Sequence, residues 1–136
     1  MNIYKTKAKR FPGTHWWQVS KSGQSLYAQI TKNTKRRPYI RSAYFEKEKI
    51  FLELFWRHLH QKTNIRDKTR RLKYLPCAIE LIEKSRFSPS VKLNPNNKQE
   101  TVYRFTGITA EKEIFYVQIK SDRKGAKWLM SIFPSK

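Results

Sequence analysis

The C-terminal third of the chain alternates apolar and polar residues, and its polar side collects side chains that handle phosphate. In residues 113–120, Gln118 and Lys120 fall on one face of an extended segment and Val117 and Ile119 on the other. In residues 127–133, Ser131 and Phe133 share a face opposite Met130 and Ile132. If Val117, Ile119, Met130 and Ile132 face a core, then Gln118, Lys120 and Ser131 project the other way. Arg104, together with Arg70 or Arg71 from upstream, adds guanidinium groups suited to bidentate phosphate contact. Tyr103 and Tyr116 can stack on bases or donate a hydroxyl. This set suits cleavage of RNA through its own 2'-hydroxyl, because the substrate then supplies the nucleophile. The protein need only orient the backbone, move protons and neutralise charge on the phosphate oxygens. An unperturbed histidine is the side chain that changes charge near neutrality, so His15, His58 and His60 are the natural candidates for proton carriers.

Each of these residues also has a plainer use. Lys120 and Arg104 can border or solubilise a sheet, Tyr116 can pack on a strand, and Ser131 can satisfy a backbone group. His58 and His60 can complement the negative end of a helix. Trp56 beside Phe55 reads as core, whereas the Trp16 and Trp17 pair reads as packing or a base platform. Cys77 reads as a small buried hydrophobe. Other chemistries lack parts. There is no glycine-rich phosphate loop and no HExxH, and ten scattered carboxylates leave a two-metal nuclease short of ligands. One cysteine and three histidines make a zinc site hard to assemble. No metal and no cofactor is expected.

Thirty Lys and Arg against ten Asp and Glu give a formal charge of +20, which points to a polyanionic partner, nucleic acid first. Residues 1–41 carry ten basic residues and no acidic one, so the excess is concentrated early. The polar, basic residues 1–14 read as an arm that follows phosphates. Lys35, Arg36, Arg37 and Arg41 around Tyr39 form a second basic cluster with a stacking ring. No apolar run approaches the roughly 20 residues that span a bilayer, so no membrane is expected. The first ten residues lack the apolar block of a secretory signal. A lone cysteine excludes an intrachain disulfide and suits a reducing cytoplasm.

The elements that must position these groups are legible in outline. The 136 residues suit one domain. Residues 16–30 mix aromatic and β-branched residues with Ser22 and Gly23 and read as a short hairpin or irregular arm. Ser42 is placed to cap a helix reaching about residue 60, with Ile50, Phe51, Leu54, Phe55 and Leu59 on one face. Glu46 and Glu48 then lie in its early turns and Arg57 and His58 in its last. A second helical pattern over residues 67–84 carries Leu72, Leu75, Ile79 and Ile82, with a kink or fresh start expected at Pro76. Residues 86–99 read as a loop and residues 101–106, 113–120 and 127–133 as strands of an antiparallel meander. The expected fold is α+β, two or three helices packed on a small antiparallel β-meander sheet.

The segment RFTGITAEKEIFYVQIKSDRKGAKWLMSIFP resembles the terminal meander of the small ribonuclease superfamily that includes barnase, EndoU, colicin D and the RelE toxins. It is most similar to the phage and mobile-element branch, in which a strand like FYVQIK is followed by a turn and a strand like LMSIFP. The resemblance covers roughly residues 100–134, with the upstream helices matching by general layout. It implies metal-independent cleavage of RNA, often tRNA or ribosome-associated RNA, by a toxin neutralised by a protein antitoxin, here an acidic one. The positions it implies are Arg104, Gln118, Lys120 and Ser131, completed by a helix residue such as Arg71 or His58. Several branches use a catalytic histidine, and this chain has none after His60. The alternative is a non-catalytic nucleic-acid-binding or regulatory protein of a mobile element.

Overall fold

The period-two stretches of the C-terminal third form the centre of a mixed seven-stranded sheet. The computed structural model describes residues 2–135, so Met1 of the expected arm lies outside the described residues. In chain order the elements are β1 (Ile3–Lys5), α1 (Trp16–Thr34), β2 (Tyr39–Ser42), β3 (Glu48–Phe51), α2 (Glu53–Gln61), α3 (Ile65–Lys73), α4 (Leu75–Lys84), β4 (Ser90–Asn94), β5 (Asn97–Ile108), β6 (Ile114–Ser121) and β7 (Lys127–Pro134). The strand order is β1-β5-β6-β7-β3-β2, with β4 pairing on β5 beside β1. The β5–β6–β7 meander is antiparallel as expected, but β1 joins β5 and β3 joins β7 in parallel, which makes the sheet mixed. The α+β class holds. Among the described residues no helix is long and apolar enough to cross a membrane.

Alternation assigns the two faces. Phe115, Val117 and Ile119 of β6, Leu129 and Ile132 of β7, Phe105 of β5 and Ile50 of β3 are buried on the inner face. There they meet Leu75, Ala78, Leu81 and Ile82 of α4, Leu72 of α3 and Phe55 and Leu59 of α2 in one core. Each such side chain contributes about 1.5–3 kcal/mol by leaving water. Gly107 belongs to this face because nothing larger fits, since a Cβ there would lie 2.5 Å from the Phe115 ring and 2.9 Å from Leu81.

The structure departs from the sequence reading in four places. Residues 16–30 belong to α1 rather than a hairpin. Gly23 is buried mid-helix because a Cβ would come within 2.9 Å of Leu72, so this glycine allows two helices to approach and marks no turn. Residues 42–51 are a hairpin rather than the start of a helix. Ser42 accepts the Phe45 amide on its Oγ and the Lys47 amide on its carbonyl, and Glu46 and Lys47 take positive φ of 55° and 71°. Glu46 and Glu48 therefore sit in and beside a turn, and α2 begins only at Glu53. Residues 86–99 contain β4 and the start of β5, joined through the expected Asn94–Asn97 turn. Pro76 does mark a fresh start, lying in the first turn of α4, where its missing amide costs nothing.

The fourth departure is the basic arm, which is tied down rather than free. Residues 3–5 pair with residues 106–108, and the Phe11 amide bonds the Lys73 carbonyl. Glu80 of α4 accepts the Tyr4 hydroxyl at 2.8 Å and the Lys7 and Ala8 amides at 3.0 and 2.7 Å. Partial burial alone would raise the Glu80 pKa, but the bonds from Lys7, Tyr4 and Ala8, with Lys84 nearby, hold it below its ordinary value of 4.5. Cys77, buried beside this segment, has its thiol pushed up to about 11, chiefly by burial, and packs as an apolar residue.

Two outcomes follow. Gly107→Ala should lower stability by about 1–3 kcal/mol through overpacking against Phe115, read as a lower urea midpoint with an unchanged slope. A depressed carboxylate stabilises the fold above its unfolded pKa and loses that contribution as pH falls through the native one. Protection of the Lys7 and Ala8 amides from hydrogen exchange should therefore collapse below pH 4.5 while protection in β6 persists.

Candidate functional site

The outer face of the sheet, opposite the helices, carries the residues singled out by alternation. Arg104, Gln118 and Ser131 are direct cross-strand partners on β5, β6 and β7, so they form one row. Ser131 Oγ donates to Gln118 Oε1 at 2.8 Å. Lys120 lies one step along, in the row that pairs Val102, Lys120 and Trp128. Its ammonium is held by Glu100 of β5 at 3.0 Å, and both side chains are largely covered. Thr106, Tyr116 and Phe133 form the row on the other side, with the two rings 5.3 Å apart.

The register of β7 contains an irregularity that alternation alone does not reveal. Gln118 pairs with Ser131, yet Ile119 pairs with Leu129, so Met130 is an extra residue on β7. The expected inner pair of Met130 and Ile132 is thus corrected to Leu129 and Ile132, both fully buried, and Met130 is only half-buried. The bulge places Trp128 on the outer face with Ser131 and Phe133.

The same stretch of β7 has an unusual edge. β3 pairs with β7 only at Lys127 and Trp128, after which the chain turns into α2. A backbone group farther along β7 is met instead by a helix side chain. Arg71 of α3 makes a long 3.5 Å contact with the Ile132 carbonyl, and the His58 ring of α2 lines the same cavity as Met130. Arg71 is oriented from its own helix by Asp67, Nε to Oδ2 at 2.9 Å, and its guanidinium lies 5.7 Å from the Phe133 ring centre. Arg104 approaches the same ring, and that of Tyr116, at 5.5 Å. Phe133 thus has an arginine from a helix and one from the sheet beside it.

Between α2, α3 and the β7 edge lies an open cavity of about 350 Å³ lined by His58, Lys62, Arg71, Met130 and Ser131 over an apolar floor of Phe55 and Leu59. Ligand sites commonly start at this size. A second hollow of about 370 Å³ lies on the other side of the row, where Arg104, Thr106 and Tyr116 meet Ser88 and Ser90. His58 stands at the rim of the first cavity. Partial desolvation, then the charges of Arg57, Lys120 and Lys62, push its pKa below the ordinary 6.5 against an opposing pull from the Met130 backbone. In the neutral ring one nitrogen is an acceptor.

The sequence-predicted residues divide into groups. Arg104, Gln118, Lys120 and Ser131 come together on one face, with His58 and Arg71 at its edge and Tyr116 beside it. Arg70 does not join them, because one residue of helix turns it toward a separate hollow lined by Asn64, Arg66 and Asp67. Lys35 and Arg36 are exposed past the end of α1. Arg37 lies over the Phe51 and Trp128 rings at 4.3 and 5.0 Å, and Arg41 lies 5.4 Å from the Tyr39 ring. Sequence reasoning missed Lys62, Met130 and Glu100. Their signal is spatial: Lys62 closes α2 one turn beyond His58, and Glu100 lies in a strand that reads as a loop. His60 turns away and packs on Trp56 and Trp16, and His15 stands ahead of the first turn of α1. The chain matches no protein-family model, no curated protein and no solved structure.

His58 should titrate below 6.5 by proton NMR, and Lys120→Met should move that value upward by removing one of the opposing charges. An unmoved value would show that Lys120 does not face the ring.

Proposed function

We propose that the protein is a metal-independent endoribonuclease that acts through the RNA 2'-hydroxyl. The observation that carries this reading is His58 lining the same cavity as Arg71, Lys62 and Ser131, where burial and neighbouring cations favour its neutral form. His58 takes the proton from the 2'-hydroxyl, the 2'-oxygen attacks phosphorus and the bond to the 5'-oxygen breaks, leaving a 2',3'-cyclic phosphate. The leaving oxygen takes its proton from solvent in the open cavity. Arg71 and Lys62 offset the charge gathering on the phosphate oxygens, and Arg104 holds a neighbouring phosphate. Ser131 and Gln118 fix the sugar edge through the polar groups left after their mutual bond. A cytoplasmic site of action, a tRNA or ribosome-associated target and an acidic antitoxin that covers the cationic face are consistent with the charge of +20 and with the resemblance of residues 100–134.

A second reading has an observation in its favour. Lys120 is paired with Glu100, and Ser131 and Gln118 with each other, so three of the four strand residues are already partnered. This suits a non-catalytic RNA-binding or regulatory protein of a mobile element.

The two separate in one assay. Purified protein should cleave RNA in the presence of a chelator and leave 2',3'-cyclic ends, with a rate that falls as His58 becomes protonated on acidification. His58→Ala should lose roughly 100- to 10,000-fold in rate with binding retained. Intact RNA with undiminished, salt-sensitive binding overturns the catalytic reading in favour of the second one.

A further inference from the structure

The row that contains Lys120 continues across the sheet. Register pairs Val102 with Lys120, Lys120 with Trp128, Trp128 with Phe51 and Phe51 with Tyr39, so these residues cross five strands on the outer face. With adjacent strands about 4.8 Å apart, Tyr39 stands about 14 Å from Lys120. The three rings between them and the sheet edge are half-buried and edged by cations. Arg37 covers Phe51 and Trp128 and is fixed by Glu53, which accepts from its Nε at 2.8 Å. Lys49 Nζ stands 4.7 Å from the Tyr39 ring, with Arg41 on the same ring. Trp128 is held by an indole bond to Asp122 at 3.2 Å. Glu53, Glu48 and Glu100 offset Arg37, Lys127 and Lys120, so the positive charge of the stripe rests on Arg41 and Lys49 beside Tyr39, which have no carboxylate partner among the described residues.

We propose that this stripe receives unpaired RNA, with bases stacked from Tyr39 across the Arg37 plane toward Trp128 and the backbone passing on to Lys120 and the His58 cavity. The inference deepens the reading of RNA as the ligand and rests on it. The Tyr39 and Trp128 rings, set at 76° and 45° to Phe51 between them, and one guanidinium offer stacking area with no hydrogen-bond code, which suits single strands of varied sequence. In a duplex the base faces are already stacked on each other, and the stripe has nothing to offer them beyond charge. Its reach fits the two or three bases that sheet-based RNA readers stack on aromatic side chains.

The test is fluorescence anisotropy of a short 2'-O-methyl oligouridine, in which the reacting hydroxyl is blocked, against a duplex of equal length. The single strand should bind more tightly. Tyr39→Ala should weaken it roughly five- to a hundredfold, and Tyr39→Phe should restore it. Arg37→Lys should weaken it as well, with the salt dependence of binding unchanged, because the charge remains and the plane is lost. Duplex bound as tightly as single strand, or single-strand affinity indifferent to Tyr39→Ala and Arg37→Lys, overturns the proposal. Cleavage of unmodified RNA is followed in parallel. Cleavage with stripe-independent binding sinks this inference alone. Stripe-dependent binding without cleavage supports it and removes the ribonuclease reading.

Discussion

The final strand has two neighbours where it begins and one where it ends. Lys127 and Trp128 are flanked by β3 and β6, but past the bulge at Met130 only β6 remains. Backbone groups freed in this way need partners, since an unpaired buried amide or carbonyl costs about as much as a lost hydrogen bond. At Ile132 the chain meets that need with the Arg71 side chain, and the His58 ring lines the cavity beside it. The candidate chemistry therefore sits where the sheet stops being a sheet. The same vacancy opens the cavity, because helices α2 and α3 stand beside the strand where another strand would have closed against it.

One-sided burial governs the rest. The helices cover a single face, so the alternate residues of β5, β6 and β7 are mostly half-exposed, with Val102 and Gln118 buried among them. On that face the chain places few carboxylates, and the ones present are spent locally: Glu100 on Lys120 and Asp122 on Trp128. Such half-exposed pairs add little to stability, but they fix where a long lysine and a large indole point. Arg71 and Arg37 are paired with Asp67 and Glu53, whereas Arg104 beside Phe133 and Arg41 and Lys49 around Tyr39 have no carboxylate partner among the described residues.

Sequence and structure agree where periodicity had one meaning. The meander was readable because Val117, Ile119 and their outward neighbours alternate cleanly, and Pro76 could only begin a helix or break one. Ile50, Phe51, Leu54 and Phe55 had two meanings. They fit a helical face, yet the first two lie on opposite sides of β3 and the others on α2, a division that falls at Leu52, the residue that caps α2. Gly23 misled for a related reason, since its small size serves helix packing and that is a property of Leu72, a residue distant in sequence. Met130 shows what alternation misses, because one extra residue in a strand reassigns its neighbour Trp128 to the opposite side. Arg104, Gln118 and Ser131 were grouped correctly in space since each lies within one uninterrupted stretch of pairing. The helix contribution was open to guesswork, because nothing local says which of Arg70 and Arg71 faces the strand.

The parallel pairing of Ile3 with Thr106 sets an order of assembly. During synthesis the first strand emerges well before the partner that must receive it, and at roughly 5–20 residues per second that interval lasts several seconds. Glu80, which holds the Lys7 and Ala8 amides, is made part-way through that interval, so the segment gains its carboxylate anchor before its partner strand.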